Sequence, residues 1–200
     1  MTTKSEMIQQ TNLAFEFLQK LFLEVSYLIK EAESMYLVEK EEFMIGKPGG
    51  YAISIRNSKG LESSNVDLWL YRKFAVFFVP KERTEIKGGQ QSTEIVDALK
   101  VIYMKIVLQD RNIDEPMILS GIFENIKNKG KANWISKFEH IMGYLEYQDK
   151  MILKTPENIM YDDAYISFIG ELQKIPLFDI NSSDSIREKI VLPTLELFRK

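Results

Sequence analysis

Asp67, Glu85 and Lys87 come nearest, by type and order, to a catalytic set in this chain. Two carboxylates can hold a Mg²⁺ ion against a phosphodiester while a lysine steadies the attacking water. An acid at the start of a strand, followed by Glu85-Ile86-Lys87, therefore carries the parts of a metal-assisted hydrolysis. A second candidate is Arg72 with Lys73, two adjacent cations inside the otherwise apolar run VDLWLYRKFAVFFVP from Val66 to Pro80. Unpaired buried charge is costly, so these two need a bulge, a route past the sheet edge, a bound anion, or an acidic partner such as the Glu31–Glu42 region offers. A third is Lys127, Lys129 and Lys131 with Trp134, where three cations beside a stacking ring would suit a nucleic-acid backbone and a base. The same four residues equally describe a solvated loop and an aromatic anchor for the next helix.

Composition removes other chemistries. There is no cysteine, which excludes disulfides, thiolate nucleophiles, Fe–S clusters and cysteine zinc sites. His140 is the only histidine and lies beside the apolar face of an expected helix, so a histidine metal cluster is impossible and a catalytic triad has a single candidate base. Asp162-Asp163 with Glu157 is the densest acidic group, but it lacks the alternating ligands of a calcium loop and reads as helix-start acids. Gly46-Lys47-Pro48-Gly49-Gly50 and Gly88-Gly89 have neither the spacing nor the following helix of a phosphate cradle. No cofactor and no metal site is expected. The order Asp67…Glu85-Ile86-Lys87 resembles the loose Asp…Glu-x-Lys pattern of restriction-type nucleases, although Glu-x-Lys recurs by chance in charged chains of this size.

The elements that must position these residues follow from periodicity. Val66 to Pro80 has strand chemistry, and Pro80 lacks the amide a ladder would need to continue. Its even positions (Leu68, Leu70, Phe74, Val76, Phe78) and its odd ones (Trp69, Tyr71, Ala75, Phe77, Val79) are both apolar, so this strand belongs inside a sheet covered on both faces. Ser5 to about Val38 is free of Pro and Gly. Phe15, Leu18, Phe22, Val25, Ile29, Ala32 and Tyr36 recur there at alternating spacings of three and four, with Ala14, Leu21, Leu28 and Met35 alongside. That stripe is wider than a two-stranded seam requires. It either lies wholly across the sheet or pairs, over part of its length, with a second copy of the chain.

Tyr51, Ile53 and Ile55 alternate as a strand with one buried face, and Lys81 to Gln91 reads as a charged loop ahead of a helix cap at Ser92. Segments 95–108 and 117–126 fit strand or helix. The central strand needs neighbours and Gln109 to Glu115 suits a hairpin connection, so both are expected as strands. Helices are expected from Trp134 to about Tyr147 and over Tyr165, Ile166, Phe168, Ile169 and Leu172. A last one opens at Asn181–Asp184 and is kinked or split by Pro193.

The expectation is an α+β fold. A mostly antiparallel sheet of about four strands is covered by a long N-terminal helix and C-terminal helices, in one domain over 1–200 that would subdivide, if at all, into 1–128 and 129–200. The N-terminus lacks the plan of a signal peptide, and no apolar run approaches the roughly 20 residues of a membrane span, so a cytoplasmic protein without a membrane partner is expected. Net charge of −3 offers no overall basic footprint, leaving nucleic acid only a local patch. The leading functional expectation is a non-enzymatic binding or protein-interaction module, self-associating or holding a protein partner. The alternative is the metal-dependent nuclease of Asp67, Glu85 and Lys87.

Overall fold

A computed structural model of the chain describes residues 3–39, 43–45, 52–53, 72–80, 84–87, 90–93, 99–129 and 149–200. Residues 46–50, Val66–Tyr71 with Asp67, and the 131–147 segment with Lys131, Trp134 and His140 lie outside them.

Helix α1 runs from Lys4 to Val38. It starts where the sequence supplies a capping box: the Thr3 hydroxyl accepts the Glu6 amide, and the Glu6 carboxylate accepts the Thr3 amide. Those Thr3 donors hold the Glu6 carboxyl below its ordinary pKa. Next come β1 (Phe43–Ile45), β2 (Ala52–Ile53) and β3 (Lys73–Pro80). They are followed by β4 (Thr84–Lys87), β5 (Gln90–Thr93), β6 (Leu99–Val107) and β7 (Met117–Asn128). A short helix α2 (Asp149–Lys154) precedes β8 (Ile159–Asp162) and β9 (Ile166–Pro176). The chain closes with a 3₁₀ turn at Leu177–Asp179, α3 (Ser183–Ile186), a π-helical stretch (Arg187–Val191) and α4 (Leu192–Arg199).

The fold is α+β. Five strands form a continuous antiparallel path in the order β3-β6-β7-β9-β8, one more than the four expected, and the short β1 and β2 both pair with the outer edge of β3. The described part of β3 is doubly covered as its alternation demands. Val76 and Phe78 join one core with α1, the π stretch and α4, while Ala75, Phe77 and Val79 join a second core with Ile152 and Leu153 of α2 and with β8 and β9. No helix among the described residues is long and apolar enough to cross a membrane.

Segments 99–107 and 117–128 are strands, as the need for neighbours required. Gly121 sits where β7 approaches β9 so closely that a Cβ would lie 2.0 Å from the Glu171 carbonyl oxygen. Asn125, at φ 53°, takes the left-handed conformation at the irregularity between Glu124 and Lys127, which Asn tolerates better than most residues.

Two expectations are corrected. The helix expected over Tyr165–Leu172 is instead the β8–β9 hairpin. Asp163 is not a helix cap but a turn residue, its Oδ1 accepting the amides of Tyr165 and Ile166, and Ile166, Phe168 and Leu172 are buried on one face of the resulting strand. The charged loop Lys81–Gln91 and the Ser92 helix cap give way to a hairpin. Thr84 pairs with Thr93 and Lys87 with Gln90, so two residues, Gly88-Gly89, separate the strands, which is hairpin spacing and hairpin composition.

Pro193 falls in the first turn of α4, where a missing amide is tolerated. The Lys189 carbonyl, which an amide at position 193 would have served, accepts the Gln173 side-chain amide at 3.0 Å instead. The π register places the Leu192 amide on the Arg187 carbonyl, so the helix continues past the proline without a break.

Candidate protein-interaction surface

The three candidate groups read from the sequence come to different places. Glu85 and Lys87 lie two residues apart on β4, and Asp67 lies outside the described residues. Lys127 and Lys129 are exposed at the end of β7, with Lys129 ion-paired to Asp162, and Lys131 and Trp134 are outside the described residues. Arg72 and Lys73 stand at the start of β3, half-buried. The Arg72 carbonyl accepts the Leu108 amide at 2.8 Å, and Lys73 Nζ reaches Asp110 Oδ2 at 2.5 Å. A counter-charge for Lys73 thus comes from just past the end of β6, opposite Lys73 in the antiparallel register. Burial pushes the Asp110 carboxyl up, but the Lys73 ammonium and the Asn112 amides bonded to it outweigh burial and hold it below the ordinary carboxylate value.

Two buried polar groups escaped the sequence reading. Lys105 is 1% exposed, facing the same way as Tyr103 and Val107. It is a cation at an odd position of an apolar strand, on the face that strand alternation assigns to Tyr103 and Val107. Tyr36 of α1 is fully buried beside the Ser120–Thr194 hydroxyl pair, 2.9 Å apart, and its own hydroxyl makes no hydrogen bond of good geometry. Burial raises its pKa far beyond the usual range, and the Thr194 and Ser120 hydroxyls offset only part of that. This cluster ties α1, β7 and α4 together inside the core. Among the described residues no group of acids and histidines is placed to hold a metal ion.

The feature that stands apart is α1 itself. From Val25 onward its stripe is buried: Val25, Leu28, Ile29, Ala32 and Tyr36 pack against the β3–β6–β7 face, the π stretch and α4. The C-terminal end is pinned by Arg187, whose guanidinium donates twice to Glu39 Oε1 at 2.7 and 3.0 Å, and by the Ser183 hydroxyl on Glu31. N-terminal to Val25 the same stripe continues with much less of the described body over it. Leu18, Leu21 and Phe22 are half-buried, and Met7, Ile8, Leu13, Phe15 and Phe17 are 52–62% exposed. At 1.5 Å per residue, Lys4 to Glu24 extends about 30 Å beyond the last buried turn.

Where α1 meets the body the apolar surface becomes concave. A groove of about 410 Å³ lies between Leu21, Val25 and Leu28 on α1 and Leu177, Phe178 and Ile180 on the segment after β9. The Phe178 ring is 65% exposed at its rim. Glu24 and Glu31 edge the same groove. On another side of the helix, Phe22 meets Phe74 edge to face at 5.5 Å between centroids, so the uncovered stripe runs into the body along both flanks. A smaller cavity, about 330 Å³, sits over β7, β8 and β9 between Met160, Ile169 and the carboxylates of Glu124, Glu157 and Glu171. No known protein family, curated protein or solved structure matches the chain.

Proposed function

We propose that this protein is a protein-interaction module that offers the N-terminal half of α1 to a partner. One observation carries the reading: over about four turns, Lys4 to Phe17 or about 20 Å, a capped helix keeps Met7, Ile8, Phe15 and Phe17 exposed without cover from the described body. An isolated helix is marginal in water, and most helical stability in proteins comes from burying an amphipathic face, so this half gains its stability when something lies against it. Met7, Ile8 and Phe15 are each more than half exposed and run into the half-buried Leu18, Leu21 and Phe22, a continuous apolar face on the order of 400 Å², the size at which such patches mark interaction sites. The polar side favours protein over lipid. Between Lys4 and Glu24 it carries Lys4 and Lys20 against Glu6, Glu16 and Glu24, with none of the lysine and arginine enrichment that draws an amphipathic helix to an anionic bilayer.

The test compares the chain with a Phe15→Glu/Phe17→Glu double variant. Both rings are exposed, so the variant keeps its circular dichroism and melting temperature. Immobilised through its C-terminus, the wild-type chain retains protein from an extract of its source, its own copies included, that the variant does not retain. Equal retention by the two removes α1 as the docking element, and Mg²⁺-dependent cleavage of labelled DNA or RNA that disappears in Asp67→Ala replaces the reading with an enzyme.

A further inference from the structure

We infer that the occupant of the uncovered half of α1 is a second copy of the same helix, antiparallel and crossing near Phe15, with each N-terminal end seated at the other chain's groove between α1 and Phe178. The inference rests on the interaction reading and names its partner.

Area is the first support. A standard interface buries about 800 Å² per partner; the face from Met7 to Phe22 supplies on the order of half of that, and the groove with its exposed Phe178 ring and a rim of neutral Gln and Asn add to it. Charge is the second. Between Met7 and Gln19 the only charged residue is Glu16, so the patch meets its own copy without like-charge repulsion. Two-fold pairs are also the commonest closed assembly and need only one self-complementary patch.

Orientation follows from the ends of the patch. In a parallel pair Lys4 meets Lys4, Glu24 meets Glu24, and the two bodies crowd together at one end. In an antiparallel pair centred on Phe15, Ile8 faces Phe22 of the other copy, Thr11 faces Leu18, and the bodies lie at opposite ends of the shared rod. Met7 of each chain then comes to the mouth that Leu21, Leu28 and Phe178 leave apolar and open. The width of the stripe has the same explanation. A lone two-stranded seam would use a narrow line, whereas a helix that packs on a partner helix and also enters a groove needs apolar side chains around half its circumference.

Because the chain has no cysteine, single substitutions report contacts without background. Sedimentation equilibrium should give twice the 23.3 kDa chain mass at high concentration. The Phe15→Glu/Phe17→Glu variant should weaken that association at least 100-fold with its fold intact. Ile8→Cys and Phe22→Cys chains, mixed under mild oxidation, should give the mixed 8–22 disulfide in preference to either self-linked product. Thr11→Cys with Leu18→Cys, which sit nearer the middle of the rod, serve as a second pair if Phe22→Cys disturbs the contact with Phe74. Self-linked Ile8→Cys as the main product overturns the antiparallel arrangement, and a trimeric or tetrameric mass overturns the pair. A monomer at every concentration overturns self-association altogether. In that case α1-dependent retention of other proteins would leave the interaction reading standing, and its absence would end both.

Discussion

The two halves of α1 make an instructive comparison, because one pattern runs through both and only one is covered. Ile8, Thr11, Phe15, Leu18 and Phe22 lead into Val25, Ile29, Ala32 and Tyr36 at unbroken spacings of three and four. In the distal half Phe15 is 61% exposed, while in the proximal half Ala32 and Tyr36 are fully buried. Periodicity thus states that a face must be covered and is silent on the cover. What differs is what the body provides. The β3–β6–β7 face and the π stretch reach along the helix only as far as Val25, with Phe74 and the groove wall touching the turn before it. Residue size follows the cover in part: the buried proximal face includes the small Ala32, whereas the distal half carries large rings, which suits a surface that meets another surface.

The comparison breaks most visibly in the proximal half. Ile29→Ala removes a side chain that is 2% exposed and should cost about 3 kcal/mol of folding stability, lowering the thermal midpoint by roughly 10 °C in calorimetry. A loss below 1 kcal/mol would mean that α1 does not hold the sheet.

Loss of a partner at the sheet edge gives a smaller effect of a different kind. Asp110→Asn should cost about 1 kcal/mol at neutral pH, since the pair with Lys73 is only partly shielded. The folded carboxyl titrates below its unfolded value of about 3.9, so its contribution is complete above that pH and fades as the pH drops through the lower folded value. Wild type and variant should therefore converge in acid denaturation, and a difference that persists undiminished at the lowest pH would assign the cost to packing instead.

At the hinge between the two halves' fates and the C-terminal helices, Arg187→Ala should cost about 0.5 kcal/mol, because its two bonds to Glu39 are largely exposed. The cost should shrink further in high salt. Urea unfolding at low and at high ionic strength measures both, and a salt-independent loss would show that the arginine stem, not its charge, holds the end of α1.

Much of this organisation was legible in the residues. The stripe of α1, the two-faced β3 and the pairing of 99–107 with 117–128 follow from period and from the demand that an apolar strand have neighbours. The β8–β9 hairpin was not legible, because Asp162-Asp163 ahead of Tyr165, Ile166, Phe168 and Ile169 satisfies a helix start as well as it satisfies an Asx turn between strands. Only the vacant edge of β7 decides between them. The Lys73–Asp110 pair was hidden for a related reason: its partners are 37 residues apart and meet only once the β3–β6 register is known. The proposed interaction surface was half legible. The stripe announced a wide apolar face, but where cover stops depends on how far the sheet and the C-terminal helices extend, which no local pattern encodes.

The smallest expected effect is the sharpest test of the contrast. Phe15→Ala removes more apolar surface than Ile29→Ala, yet at a dilution where chains are single it should change stability by only a few tenths of a kcal/mol. The ring leaves water little in the folded chain, and alanine is the better helix former by about half a kcal/mol. Its thermal midpoint should therefore match wild type within roughly 1 °C. On the proposed pairing, raising the concentration should separate the two proteins, because wild type then gains stability by mass action and the variant gains less. A cost of several kcal/mol already at high dilution would mean that Phe15 packs on its own body, and the two halves of α1 would no longer differ in the way described.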